Sequence, residues 1–175
     1  MEYKGIQFDA VIATPGCGKS YLSDHYPHLF ADMDEIRLRC KYEVPENISR
    51  EELERTKGER DFKRRKYTKE EMFNEYDKHL NKGMILIAAP HPESFEYFES
   101  RNIKFCFVYP DKNAKEKLKK RFESRNNPSD FIKENDDLFD DFYISNRKDT
   151  KAAVHYEFNG DEYLSDILRK FGLDF

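Results

Sequence analysis

Between Ala13 and Ser20 the chain reads Ala13-Thr14-Pro15-Gly16-Cys17-Gly18-Lys19-Ser20, residue types that suit one kind of chemistry, the gripping of phosphate. Gly16 and Gly18 let the backbone point several N–H groups inward, and a helix beginning near Lys19 adds its positive N-terminal end. Lys19 is then placed to reach the β- and γ-phosphates of a nucleoside triphosphate, and the Ser20 hydroxyl to bind the Mg²⁺ that accompanies them. Tyr21 follows at the exit of the loop. Cys17 lies inside the run, and its identity there is incidental to phosphate binding. The plain alternative, a chance Gly-rich turn, is weakened by the apolar run Ala10-Val11-Ile12-Ala13 before it and the helical pattern after it.

Other groups could act beside that loop. A short apolar strand, His28-Leu29-Phe30-Ala31, delivers Asp32-Met33-Asp34-Glu35-Ile36-Arg37 at its C-terminal end, where open α/β sheets hold their ligands. The alternative for the aspartates is a helix cap with first-turn charge. Glu59-Arg60-Asp61-Phe62-Lys63-Arg64-Arg65-Lys66 is a dense basic cluster around one aromatic. It reads either as a solvated helix face or as an acceptor site, in which Arg64 and its neighbours grip phosphate bidentately while Phe62 or Tyr67 stacks on a base. Arg121 and Arg125 stand one helical turn apart on one face, beside the polar loop Asn126-Asn127-Pro128-Ser129. The histidines show no metal-ligand spacing.

The elements that must position these groups alternate along the chain. A strand over about Gln7 to Ala13 leads into a helix carrying Tyr21, Leu22, His25 and Tyr26, ended by Pro27. The region from Arg37 to Gly83 reads as long, polar and helical, with capping boxes at Ser49-Arg50-Glu51-Glu52 and Thr68-Lys69-Glu70-Glu71. Met84-Ile85-Leu86-Ile87-Ala88-Ala89 has the continuous apolar character of a central parallel strand. A short helix with Phe95 and Phe98 follows, then a strand over Ile103 to Tyr109. A helix over about Asn113 to Ser124, another with Phe131, Leu138, Phe139 and Phe142, a strand over Ala152 to Phe158, a turn at Asn159-Gly160 and a C-terminal helix complete the pattern. Strands alternating with helices imply right-handed crossovers and a parallel sheet.

With 175 residues the chain is most simply one domain. Hydrophobic and charged residues each make up 38%, so its helices must be amphipathic. A net charge of -4 argues against a general nucleic-acid or membrane-surface binder. The sequence has no apolar run of membrane-spanning length and no signal-peptide pattern at Met1-Glu2-Tyr3-Lys4, so a cytoplasmic location is expected. Three separated cysteines, Cys17, Cys40 and Cys106, fit reduced thiols.

The motif from Ala13 to Ser20 resembles that of the P-loop kinase superfamily, with Ala13 in place of the first glycine of Gly-x-x-x-x-Gly-Lys-Ser/Thr. The whole chain is similar in layout to small kinases of the nucleoside monophosphate kinase, shikimate kinase and gluconate kinase group. The resemblance implies an α/β P-loop NTPase fold with a five-stranded parallel sheet in the order 2-3-1-4-5, a helical substrate-binding insertion over 37–82 and a lid over 121–130. It also implies ATP and Mg²⁺ as cofactors, with Ala13, Thr14, Pro15, Gly16, Cys17, Gly18, Lys19, Ser20 and Tyr21 around the nucleotide. Asp32 would hold a water of the Mg²⁺ shell, Asp34 would face the acceptor, and Arg121 and Arg125 would close over the transferring group. Asp34-Glu35-Ile36-Arg37 also resembles the Asp-x-x-Arg of polynucleotide kinases, where the Asp takes the proton of the attacking hydroxyl and the Arg contacts a phosphate. The third strand departs from nucleoside monophosphate kinases, ending in Ala88-Ala89-Pro90-His91 where those enzymes commonly have Asp-Gly-x-Pro-Arg. The expectation is an ATP-dependent kinase of a small acceptor, a nucleotide or nucleoside first, acting as monomer or homodimer without a membrane. The alternatives are a polynucleotide 5'-hydroxyl kinase and a nucleotide-binding regulatory protein without turnover.

Overall fold

Near the N-terminus, β1 (Glu2–Tyr3) and β2 (Ile6–Gln7) pair antiparallel about Lys4 and Gly5, whose φ values of 52° and 81° are left-handed. The computed structural model describes residues 1–35, 40–42, 49, 64–140 and 151–175. The apolar run that follows is a strand buried along its whole length, β3 (Ala10–Ala13). Gln7, expected at its start, belongs to the hairpin instead, because its backbone pairs with Glu2.

The next elements are α1 (Lys19–His25), β4 (Phe30–Asp32), β5 (Cys40–Tyr42) and β6 (Arg64–Lys66). They are followed by α2 (Lys69–Leu80), β7 (Ile85–Ala88), α3 (Pro92–Ser100) and β8 (Phe105–Pro110). A 3₁₀ turn (Lys112–Ala114) leads into α4 (Lys115–Ser124), then α5 (Ser129–Leu138), β9 (Val154–Phe158) and α6 (Leu164–Lys170). Five strands form one parallel sheet in the spatial order β4-β7-β3-β8-β9. Register is set by pairs such as Val11 with Ile87 and Ile12 with Phe107.

Period-two alternation divides the core between the two faces of this sheet. Val11, Ala13, Ile87, Cys106 and Val108 pack with Leu22 of α1, Phe122 of α4 and Leu164 and Ile167 of α6. On the other face Ala10, Ile12, Leu86, Ala88 and Phe107 pack with Met72 and Tyr76 of α2 and Tyr97 and Phe98 of α3. The fold is therefore α/β, a five-stranded parallel sheet flanked by helices. Among the described residues no helix is long and apolar enough to cross a membrane.

Helix α2 begins where its capping box requires: Glu71 N–H donates to Thr68 Oγ1 at 3.2 Å, and Thr68 N–H to Glu71 Oε2 at 2.8 Å. It is tied to α3 by Asp77, which accepts a forked pair from Arg101 at 2.7 and 3.0 Å and the Tyr97 hydroxyl at 2.8 Å. The Arg101 guanidinium holds the Asp77 carboxyl below the usual range, and burial raises the Tyr97 phenol.

The stretch expected to be helical from Arg37 onward differs at its described ends. β5 and β6 pair antiparallel, Cys40 opposite Lys66 and Tyr42 opposite Arg64, so the basic run from Arg64 to Lys66 is strand rather than helix face. A cross-strand ladder satisfies those backbone groups, and tertiary pairing overrides a weak local preference. The helix start at Ser49-Arg50-Glu51-Glu52, Arg37, Phe62 and Phe142 lie outside the described residues, Ser49 itself excepted.

Candidate functional site

β3 ends at Ala13, and the chain turns back over its tip into α1 through two left-handed glycines, Gly16 at φ 83° and Gly18 at φ 95°. Only a residue without Cβ takes such angles readily, and here space also enforces the choice. A Cβ on Gly16 would lie 3.0 Å from the Phe122 ring and 3.1 Å from Leu118, and one on Gly18 would lie 3.3 Å from the Tyr163 ring. Thr14 and Cys17 are buried beneath the loop, joined by a 3.2 Å hydrogen bond between Oγ1 and Sγ. Burial pushes the Cys17 thiol up, so it packs as a neutral group.

Lys19 opens α1 with its side chain folded over the loop. Its ammonium donates to the Ala13 carbonyl at 2.9 Å and stands 3.7 Å from Asp34 Oδ2. Ser20 Oγ donates to Asp32 Oδ2 at 3.3 Å, and the other oxygen of Asp32 accepts the Asp34 N–H at 3.1 Å. β4 extends one residue further than expected, so Asp32 is its last residue and is only 2% exposed. Because β4 runs parallel to β7 and β7 to β3, their C-terminal ends gather at the same edge of the sheet as the loop. Tyr76 of α2 fixes the turn between the aspartates, donating its hydroxyl to the Met33 carbonyl at 3.2 Å.

These groups line one cleft of about 760 Å³. Its wall includes Pro15, Gly16, Gly18, Lys19, Ser20 and Tyr21 from the loop and α1, Asp32 and Asp34 from the end of β4, and His91 after β7. Arg125, Asn127 and Phe131 line it as well. Tyr21 is 48% exposed and stacks on His25 at 4.0 Å. Ser20 Oγ and the Asp32 carboxylate are hard oxygen donors of the kind Mg²⁺ takes while keeping several waters. Among the described residues no group of three or more His, Cys, Asp or Glu side chains is arranged as a metal cage.

The two arginines expected to act together are given different surroundings. Arg125 caps α4 and borders the cleft. Arg121 is aimed at backbone instead, donating to the carbonyls of Gly16, Gly160 and Glu162 at 3.3, 2.6 and 3.0 Å, with its guanidinium 3.9 Å over the Tyr163 ring. Arg64 lies on β6, and Arg37 and Phe62 are outside the described residues. Sequence reasoning missed Tyr76, Phe131 and Tyr163 as site residues. Tyr76 reads only as one more apolar position of α2. Tyr163 had a usable signal, since it follows the C-terminal end of a parallel strand.

No protein-family model matches the chain, and no curated protein matches it. Among solved structures, the chain is similar to the crystal structure of an uncharacterized protein from Eubacterium ventriosum ATCC 27560. The two share 16% identity with a TM-score of 0.44, over 93% of this chain and 97% of the other.

Proposed function

We propose that the protein is a P-loop phosphotransferase that moves the γ-phosphoryl group of ATP, with Mg²⁺, to a small acceptor, a nucleotide or nucleoside. The observation that carries this reading is the convergence of Lys19, Ser20, Asp32 and Asp34 on one cleft, with Ser20 bonded to Asp32 at 3.3 Å and Lys19 3.7 Å from Asp34. The strand order supports it as well. Counted in chain order the parallel strands run 2-3-1-4-5, so the loop leaves the central strand, with β7 on one side of it and β8 on the other.

Phosphoryl transfer asks the protein mainly for position and charge. Lys19 exchanges the Ala13 carbonyl for phosphate oxygen, and its partner Asp34 turns to the acceptor. Ser20 and Asp32 would hold Mg²⁺, which would supply neutralisation of phosphate charge. Arg125, which also lines the cleft, would answer charge on the moving group.

Asp34 also favours a second reading, a hydroxyl acceptor such as a nucleoside or a polynucleotide 5'-end. Its carboxylate borders the cleft with 24% of its side chain exposed. Like charges about 4 Å apart repel by roughly 4 kcal/mol at an effective dielectric of about 20, whereas a hydroxyl has a proton to share. Calorimetry of MgATP binding tests the shared core of both readings. Lys19→Ala should remain folded and lose about a hundredfold in affinity, the worth of a charge-assisted contact to phosphate. Unchanged binding by the folded variant would end both.

A further inference from the structure

We propose that Arg121, together with the turn from Asn159 to Tyr163, is a positioning latch that holds the phosphate loop in its binding conformation before any nucleotide arrives. The inference rests on the nucleotide-binding reading above but concerns residues that reading leaves aside. One guanidinium donates to three backbone carbonyls, Gly16 in the loop and Gly160 and Glu162 in the turn after β9. Its flat face lies 3.9 Å over the Tyr163 ring, and that ring in turn closes off Gly18. A second tie joins the same two segments, Leu164 N–H donating to the Cys17 carbonyl at 2.8 Å.

The consequence follows from peptide geometry. In a trans peptide the carbonyl of one residue and the N–H of the next point in opposite directions. Holding the Gly16 carbonyl on Arg121 turns the Cys17 N–H the other way, and holding the Cys17 carbonyl on Leu164 does the same for the Gly18 N–H. A nest of N–H groups for phosphate needs just such outward carbonyls. Arg121 therefore acts through the loop and is a positioning residue rather than a group on the moving phosphoryl. Lysine cannot replace it, since three carbonyl partners and a stacked ring require a planar fork of donors.

The test separates loop order from chemistry. In the ligand-free protein, backbone amide order parameters at Cys17 and Gly18 should fall in Arg121→Ala and in Arg121→Lys alike. MgATP affinity measured by calorimetry should drop about tenfold or more in both, the worth of a lost charge-assisted hydrogen bond. Guanidinium ion added to Arg121→Ala at concentrations far below denaturing should recover part of each loss. Wild-type loop order in a folded Arg121→Ala protein overturns the proposal. So does lost turnover with affinity and loop order intact, which would place Arg121 on the transferring group. If Arg121→Ala does not fold, Tyr163→Leu serves instead, Tyr163 being 41% exposed; loosening of Cys17 and Gly18 supports the latch, and unchanged order refutes it. A wild-type protein without MgATP affinity would remove the nucleotide reading, and the loop-order measurement would still decide the latch.

Discussion

The two halves of the cleft are held in different ways. On the proposed donor side the loop from Ala13 to Ser20 is held through its carbonyls, Ala13 by the Lys19 side chain, Gly16 by the Arg121 side chain and Cys17 by the Leu164 N–H. On the proposed acceptor side the turn from Asp32 to Asp34 is held partly by backbone alone, Met33 N–H donating to the Ile87 carbonyl and Glu35 N–H to the Asp32 carbonyl, with the Asp32 carboxylate and the Tyr76 hydroxyl adding one bond each. Lys19→Ala or Arg121→Ala would free a loop carbonyl, whereas no side-chain substitution removes the two backbone bonds of the turn after β4. The proposed acceptor half can therefore change side chains and keep its shape, which makes it the place where sequence change can retune specificity.

The strongest way to break this contrast is Asp34→Asn. With a hydroxyl acceptor, turnover should fall by about 10²–10⁴-fold while MgATP affinity stays near wild type. Loss of affinity equal to the loss of turnover would mean that Asp34 belongs to the donor half. Arg125→Ala comes next, with kcat lowered by about tenfold or more and affinity changed little, since a group that meets charge only as it develops stabilises the transition state alone. Turnover equal to wild type would make it an ordinary surface charge. Tyr76→Phe keeps the ring and removes the bond to Met33, so stability should fall by about 1 kcal/mol in urea unfolding, with a small loss of kcat. An unchanged midpoint and rate would show that the backbone bonds of Met33 and Glu35 hold the turn without Tyr76.

The smallest expected effect is one of pH on the acceptor side. Asp77 titrates below its ordinary value beside Arg101, so its contribution is fully present above the usual carboxylate range and is lost as pH falls from there through the lowered native value. Both partners are partly exposed, which limits that contribution to about 1 kcal/mol. Asp77→Asn should accordingly lower the melting temperature slightly at neutral pH and leave it unchanged in acid. An equal shift at both pH values would assign the loss to packing.

Much of the framework is legible in local pattern. Apolar runs name β3, β7 and β8, the Thr68 capping box names the start of α2, and Gly16 and Gly18 occupy positions that positive φ demands. What could not be read depends on partners distant in sequence. The Arg64 run looks helical until Tyr42 stands opposite it, and Arg121 looks like a partner of Arg125 until β9 brings Gly160 and Tyr163 beneath its guanidinium. Spacing within one helix says which residues share a face. It does not say which of them finds a carbonyl before it finds the cleft.

The tie between Arg121 and Gly16 joins residues 105 positions apart, and its companions reach on to Gly160 and Leu164. Contacts of such separation cost more loop-closure entropy than local ones and raise the contact order that slows folding. The glycine-rich loop thus lies near one end of the chain in sequence, yet its shape is completed by contacts that only the distant segment supplies. A fragment cut before Gly160 would contain every residue of the motif from Ala13 to Ser20, and Arg121 as well, yet would lack the Gly160 and Glu162 carbonyls, the Tyr163 ring and the Leu164 N–H that complete the latch.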